Sequence, residues 1–576
     1  MKKKIVSRPI VESFSNWTSN VHPVLRQIYQ SRKVDSEQQL NYSLALLPSP
    51  DLFSGMSGLV EILSNCLKNQ NSILIVADFD ADGATSCAVA KRGLEMLGAN
   101  RVSYIVPNRF EFGYGLTPEI VDIARLQEPE VIITVDNGIS SVEGVEAARE
   151  YGIRVLITDH HLPGSELPRA DAIVNPNMPG DKFPSKSLAG VGVIFYVLSA
   201  LRKKLRESAW FQEKNIAEPN LAQLLDFVAL GTVADVVQLD HVNRILVHQG
   251  LKRIQKGVAH VGIRAILDVA ARNYSSLVAS DLGFAIGPRL NAAGRLDDMS
   301  LGIECLLTDS VQEASEIAKK LDALNQERKN IELRMKGEAL ELLETINTEN
   351  SAEMPAGICL YDERWHQGVV GIIASRIKDR TGRPVIAFAT AETDTIKGSA
   401  RSVPGIHIRD LLSEIAALNP ELLTKFGGHA MAAGLTLRLS DYTKFTSLFS
   451  EAIQNGYADR ANDQLLYTDG ELQGDLITLE FANLLGEAGP WGQGFSEPVF
   501  EGCFDVLECR ILKDVHLKFS LCAQRSKQIL DAIAFNVEDP EFWLEHESIR
   551  FVYRLNVNEF RNRQTVQLMV EYMEPC

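Results

Sequence analysis

Three short apolar runs rich in β-branched residues punctuate the first third of the chain, and each ends in polar residues that carry charge. Ile73-Leu74-Ile75-Val76 leads into Asp78, Asp80, Asp82 and then Gly83. The run 131–135 ends in Asp136-Asn137-Gly138, and the run 155–157 ends in Thr158-Asp159-His160-His161. Between these runs, residues 85–97 and 141–151 have the length and pattern of helices. Strands alternating with helices read as βαβ units around a parallel sheet. Crossovers of one hand bring the carboxyl ends of all such strands to one edge, so each run delivers an acid or an imidazole there.

The rest of the pattern divides the chain. Residues 1–50 lack a strong periodicity and are expected to pack on the first domain, which spans 51–305. The longest apolar stretch, 189–201, is too short to cross a bilayer and reads as a buried helix. Residues 310–348 place Ile317, Leu321, Leu324, Ile331 and Leu340 among many charges, which predicts a long amphipathic connecting helix within 306–348. A smaller α/β domain is expected over 350–460, with a helical pattern at 372–377 and a strand at 385–389. Over 465–576 the alternating runs 499–506, 516–522, 528–535, 550–557 and 565–572 predict five short strands and a small barrel, for which the OB fold is the candidate. The fold class is therefore multidomain α/β with a C-terminal β-barrel.

Composition narrows the function classes. A chain of 576 residues with 45% hydrophobic content is too long for one core and ordinary for a globular protein. Met1-Lys2-Lys3-Lys4 is followed by Ser7, Arg8 and Glu12 before any apolar segment forms, so no secretory signal is expected. The eight cysteines form no C-x-x-C pair, which indicates neither a zinc module nor a disulfide framework and suits a reducing cytoplasm. The net charge of −17 argues against indiscriminate nucleic-acid binding, so any DNA would follow a narrow basic track around Arg109, Arg289, Arg295 and Arg401.

The acid-bearing strand ends carry the chemistry. Asp78, Asp80 and Asp82 at alternate positions would share one face if the strand ran on, and crowded carboxylates call for a cation. Asp235 stands alone in the apolar segment Phe227-Val228-Ala229-Leu230-Gly231-Thr232-Val233-Ala234, where a buried carboxylate needs a partner. Carboxylates with one or two imidazoles and no thiolate suit Mn²⁺ or Mg²⁺ better than structural zinc. One or two such ions would activate water for phosphoester hydrolysis. Each feature also has a plain structural reading: a solvated acidic turn, a helix cap at Asp235, a packed histidine.

Asp78-Phe79-Asp80-Ala81-Asp82-Gly83, Asp136-Asn137-Gly138, Asp159-His160-His161 and the Asp235 segment resemble the four ordered motifs of the DHH phosphoesterase superfamily. Pro107-Asn108-Arg109-Phe110, Gly113-Tyr114-Gly115-Leu116, Ser187-Leu188-Ala189-Gly190-Val191-Gly192 and Gly287-Pro288-Arg289-Leu290-Asn291-Ala292-Ala293-Gly294-Arg295 narrow the resemblance to the RecJ family of bacterial single-strand-specific DNA exonucleases. In one respect the chain departs from many superfamily members: Val76 stands where they have a histidine, and Asp78 is the candidate replacement.

The resemblance implies a parallel-sheet DHH domain, a DHHA1 domain and an OB-like barrel. It implies a metal-dependent 5′→3′ exonuclease that degrades single-stranded DNA to 5′-mononucleotides or short products, in DNA repair and recombination. Asp78, Asp80, Asp82, Asp136, His160 and Asp235 would hold one or two Mn²⁺ or Mg²⁺ ions, with Asp136 bridging them and His161 contacting the scissile phosphate. Ser399 and Arg401, helped by Arg109 and by Arg289 or Arg295, would hold the 5′-terminal phosphate, and His429 would line the cleft beside them. Trp491, Phe495, Phe519 and Tyr553 are candidate stacking platforms on the barrel side, with core packing as their plainer role. A monomer without a membrane anchor is expected, with a single-strand-binding protein and a helicase as candidate partners. Two rivals stand beside this reading: a phosphodiesterase of short oligonucleotides or cyclic dinucleotides, and a catalytically silent single-strand-binding scaffold.

Overall fold

The computed structural model describes residues 3–9, 17, 21–108, 112–349, 354–392, 394–457, 465–523, 528–560 and 563–576. It divides into two compact units, one of residues 1–4, 295–297 and 323–465, the other of 5–294, 298–322 and 466–576.

The larger unit is built on a five-stranded sheet. Its order is Val102–Ile105, Ile73–Ala77, Val131–Val135, Arg154–Thr158 and Ala172–Val174, with every neighbouring pair parallel. Ile73–Ala77 and Val131–Val135 are buried at every position, which is why the sequence shows unbroken apolar runs there. The first crossover is the helix Ala81–Met96, which begins four residues earlier than its periodicity suggests because Asp80 caps it. This helix is buried on most sides, packed between the sheet and the helices Gly190–Glu207 and Leu225–Ala234. That packing draws the start of Gly190–Glu207 and the end of Leu225–Ala234 toward the carboxyl edge of the sheet. The expected buried helix at 189–201 is the first of these two. Among the described residues, no helix is long and apolar enough to cross a membrane.

The same unit holds a closed five-stranded barrel, ordered Phe500–Leu512, His516–Ala523, Ile529–Ala534, Arg563–Pro575 and Ser548–Phe560. The five strands match the five predicted runs, but the first and the last two are 13 residues long, longer than the sequence pattern suggests. Phe519 and Tyr553 are fully buried inside the barrel, and Phe495 is buried beside it. Trp491 stacks on Phe495 with ring centroids 4.9 Å apart and donates Nε1–H to the Leu485 carbonyl. Phe519 and Tyr553 are thus packing residues and not stacking platforms, because strand alternation turns them inward, and Phe495 is another, enclosed by Tyr29, Trp491 and Arg244.

A disulfide joins Cys503 to Cys576, contrary to the reading of eight unpaired cysteines. The partners lie 73 residues apart, and barrel closure brings them together where spacing gave no hint.

The N-terminal residues have two neighbours. Tyr42 packs against His248, and the Asn41 carbonyl lies 3.1 Å from His241 Nε2, both on the first domain. The helix Pro23–Ser31 instead faces the segment that leads into the barrel: Tyr29 lies against Trp491, and the buried pair Arg32–Asp469 closes to 2.7 Å.

The smaller unit contains the greater part of the helix Val311–Glu349, which is 39 residues long, and a mixed sheet. Its strand order is Lys425–Gly428, Ala432–Arg438, Thr395–Arg401, Val385–Glu392 and Ile358–Tyr361, antiparallel except for the last pair. Helices Ile408–Leu418 and Tyr442–Tyr457 supply one core and the helix Val370–Thr381 another, the latter shared with Met335, Ala339 and Leu343 of the long helix.

Candidate metal centre

The strand Ile73–Ala77 stops before the first acid, so the three aspartates do not form a ladder on one strand face. Asp80 turns out of the strand and caps the following helix, its Oδ1 accepting from the amides of Asp82 at 2.9 Å and Gly83 at 3.0 Å. An aspartate at this position satisfies first-turn amides that the helix itself leaves without acceptors. Asp82 then sits in the first helical turn. Its Oδ2 accepts from the Gly190 amide at 2.7 Å and its Oδ1 from Val191 at 3.1 Å, so the carboxylate lies on the positive end of the helix Gly190–Glu207.

Asp136 follows its strand in a left-handed conformation, φ 63°, unusual for a residue with a side chain. Asn137 holds this turn by donating from Nδ2 to the carbonyls of Val76 at 3.1 Å and Val135 at 2.9 Å, tying two strand ends together. Asp235 is the residue that ends the helix Leu225–Ala234, and Val236 after it also has positive φ, 62°.

Asp159 is wholly buried and acts through its neighbours. Oδ1 accepts from the amides of His160 at 2.7 Å and His161 at 3.1 Å and lies 2.7 Å from His161 Nδ1, while Oδ2 accepts from the Ile139 amide at 2.9 Å. His160 is left facing the acids, with Nε2 3.1 Å from Asp136 Oδ1 and 3.5 Å from Asp235 Oδ2.

Three groups of side chains offer ligand atoms within 4.8 Å of one another: Asp78, Asp80 and Asp136; Asp82, His160 and Asp235; and Asp136, His160 and His161. Asp136 belongs to two of them. All seven residues predicted as catalytic or metal-binding therefore converge at one sheet edge. The two trios that begin with Asp78 and Asp82 are joined through Asp136 and His160.

Electrostatics show what the cluster lacks. Burial, with Asp80 close by, pushes the Asp82 carboxyl up to about 7. Burial and the neighbouring carboxylates hold Asp136 and Asp235 well above the ordinary range. Burial also opposes a charge on His161, but its hydrogen bond to Asp159 and the surrounding acids outweigh it and push the imidazole up to about 9. Asp159 stays below the usual carboxylate range despite burial, because its hydrogen bond to the His161 imidazole and the charge of the two nearby imidazoles outweigh it. Asp136 Oδ1 is buried and accepts no hydrogen bond from a described residue. A hard dication satisfies each of these conditions at once: it neutralises the crowded carboxylates and takes the oxygen and imidazole donors present. The residues fit Mn²⁺ or Mg²⁺.

The glycine at 190 allows this closeness. A Cβ there would stand 2.6 Å from Asp136 Cβ and 2.7 Å from its Cγ.

Comparison with known proteins accounts for the arrangement. Residues 72–232 match the model of the DHH family, N-terminal domain; residues 355–455 match the DHHA1 domain; and residues 468–572 match the RecJ OB domain. The single-stranded-DNA-specific exonuclease RecJ of Escherichia coli (strain K12) is 50% identical over 579 residues, an alignment that covers 100% of each chain. The chain belongs to the RecJ family. RecJ of Haemophilus influenzae is 47% identical, again over 100% of both chains. Among solved structures, RecJ in complex with Mn²⁺ from Thermus thermophilus superposes with a TM-score of 0.79 at 27% identity, covering 100% of this chain and 79% of that one. An exonuclease RecJ bound to manganese matches at a TM-score of 0.58 and 33% identity, over 73% of this chain and 98% of that one.

The predicted phosphate-binding residues of this RecJ-family chain have separate settings. Arg109 lies outside the described residues. Arg289 donates to Asp322 at 2.8 Å and to the Ala285 carbonyl at 2.7 Å. Arg295 donates to the Gly368 carbonyl at 3.1 Å, within the smaller unit. In that unit Ser399 and Arg401 share a strand, with Arg401 Nη1 2.9 Å from Ser399 Oγ. A Cβ on Gly371, in the first turn of Val370–Thr381, would fall 2.8 Å from Arg401 Nη2 and from Ser399 Oγ, so a helix N-terminus, a hydroxyl and a guanidinium meet there. His429 occupies the exposed turn before Ala432, the residue that pairs with Arg401.

Four contributors were not singled out from the sequence as site residues. Asp159 orients both histidines, and Gly190 admits Asp136. Asn291 accepts from the Ala81 amide at 2.8 Å, and Tyr114 lies beside His161. Each falls within a motif quoted above, but motif membership alone did not separate ligands from the residues that position them.

Proposed function

We infer that this protein is a metal-dependent exonuclease that degrades single-stranded DNA. One observation carries the reading: a carboxylate–imidazole cluster centred on Asp136, in a chain half identical, end to end, to proteins named for that activity. Asp78, Asp80, Asp82, Asp136, His160 and Asp235 would hold one or two Mn²⁺ or Mg²⁺ ions, with Asp136 shared. When bound, the metal supplies Lewis acidity and lowers the pKa of water for attack on phosphorus. His161, oriented by its bond to Asp159, would contact the scissile phosphate. Asp82 anchors its helix to Gly190 and Val191 while keeping lone pairs for a ligand.

Polarity belongs to the same reading. Ser399, Arg401 and the N-terminus of Val370–Thr381 form an anion site suited to a terminal phosphate, which an internal strand does not carry. His429, Arg109 and one of Arg289 or Arg295 would assist, and cleavage would run 5′→3′ to mononucleotides or short products in repair and recombination. The closed barrel, matched by the RecJ OB domain, supports a polymer as substrate over a dinucleotide. A monomer served by a single-strand-binding protein and a helicase completes the proposal.

End-labelled single strands incubated with Mn²⁺ test it, with Asp136→Ala as the inactive control. Shortening from the 3′ end first would reverse the polarity, and intact 5′-phosphate preference in Arg401→Ala would remove the pocket assignment.

A further inference from the structure

Tyr114 stands between three segments of the metal centre. Its hydroxyl lies 3.2 Å from the carbonyl oxygen of Asp136 and 3.2 Å from His161 Nδ1. Its ring meets His161 edge-on at 5.7 Å and Phe79, between Asp78 and Asp80, edge-on at 6.0 Å. Toward the Asp136 carbonyl the hydroxyl can only donate, whereas His161 Nδ1, which is bonded to Asp159 2.7 Å away, and His161 Nε2, 3.4 Å from the phenol oxygen, flank it on the other side.

The loop that presents this side chain is built for the purpose. Gly113 and Gly115 both have φ +77°, a left-handed conformation on either side of Tyr114. Behind them, the Leu116 amide is fastened to Ser141 Oγ at 3.0 Å. The acceptor is the one strained backbone unit in the acid cluster whose carboxylate is shared between ligand groups, Asp136 with φ 63°. A left-handed aspartate keeps its geometry only where its surroundings hold it. Asn137 holds the turn from the strand side, and the phenol holds it from the loop side.

We infer that Tyr114 is a positioning residue of the metal centre, its hydroxyl fixing the Asp136 turn and so the direction of the shared carboxylate. The inference rests on the assignment of Asp136 as a metal ligand.

Tyr114→Phe tests it, since the ring contacts remain and only the hydroxyl is lost. Mn²⁺ binding to metal-stripped protein, followed by the EPR signal of free Mn²⁺, is expected to weaken by about tenfold. The same variant should lose kcat to a similar degree while KM for a single strand changes by less than about twofold. Amide exchange at Asn137 and Gly138 should quicken, and the melting temperature of the metal-free protein should fall by no more than about 5 °C, the worth of one hydrogen bond. Mn²⁺ affinity and kcat within about twofold of the parent would overturn the inference. A rise in KM alone would also overturn it, making Tyr114 a DNA contact. Asp136→Ala separates the two levels: if it binds Mn²⁺ like the parent, the metal assignment itself fails, whereas loss there with an unaffected Tyr114→Phe removes only the role of Tyr114.

Discussion

His161 Nδ1 stands 2.7 Å from Asp159 Oδ1, and that carboxylate is wholly buried. The bond fixes the tautomer and the ring plane of an imidazole that faces the acid cluster, while the same carboxylate accepts three backbone amides. Asp159→Asn retains the shape but replaces an acceptor-only group with one that must also donate. We expect kcat to fall by about 10- to 100-fold and stability by about 1–3 kcal/mol. Single-turnover cleavage and urea unfolding measure the two separately. Unaltered kcat would show that His161 needs no carboxylate behind it.

The raised carboxylates predict how the metal-free protein responds to pH. Asp82 is pushed up to about 7, and Asp136 and Asp235 well above the ordinary range, whereas unfolded aspartates titrate near the ordinary value of 3.8. A group with a raised folded pKa contributes stability that is fully present below the unfolded pKa and is lost as pH rises through the folded one. The metal-stripped protein should therefore lose stability as pH rises from about 4, through about 7 for Asp82 and onward for Asp136 and Asp235, relative to a variant with all three replaced by Asn. Bound Mn²⁺ removes the repulsion, so its stabilising effect should grow over the same interval, and its binding should release protons. Melting curves with and without EDTA at pH 5.5 and 8 check the first point. Calorimetry in buffers of different ionisation enthalpy checks the second, and a pH-independent Mn²⁺ effect would contradict both.

Gly190 provides a test that changes no ionisable group. A methyl there would press on Asp136 Cβ and Cγ at 2.6 and 2.7 Å, and neither atom can retreat without moving the strained turn. Gly190→Ala should displace the carboxylate and lower kcat by more than about 100-fold, a larger effect than a small-to-small change gives elsewhere in this helix. Ser199→Ala, further along the same helix, is the comparison, and equal activity in both variants would show that Asp136 has room to adjust.

Much of this centre was legible because apolar runs ending in acids mark strands whose carboxyl ends meet at one edge. That logic brought Asp136, His160 and, with the Asp235 segment, most of the candidate ligand set to one edge. It misjudged the Asp78–Asp82 series, since a helix cap at Asp80 competes with strand continuation, and local hydrogen bonding decided it. Asp159 sat inside a quoted triplet without being given a role, and only the fold reveals that its oxygens are spent on His160, His161 and Ile139. The barrel aromatics were ambiguous for a different reason: alternation shows that Phe519 and Tyr553 share a face with other apolar residues, and closure determines which face is inside. The arginines remain the least legible, because Arg289 has an intramolecular carboxylate partner, Asp322, that nothing in the spacing announces.

The Cys503–Cys576 bond was equally silent in the sequence, and it makes a local prediction. It closes a loop of 73 residues and tethers the end of the strand Arg563–Pro575 to the first barrel strand. In the chain-entropy account a link across a loop of this length contributes about 4.4 kcal/mol, chiefly by restricting the unfolded barrel. Under non-reducing conditions, Cys503→Ser should speed amide exchange along Arg563–Pro575 and leave the strand Val131–Val135 as it was. Dithiothreitol should reproduce that change in the parent protein and add nothing in the variant. Exchange in Arg563–Pro575 that ignores both the substitution and the reductant would show that ladder pairing with Ser548–Phe560 and Ile529–Ala534 holds the strand without the bond.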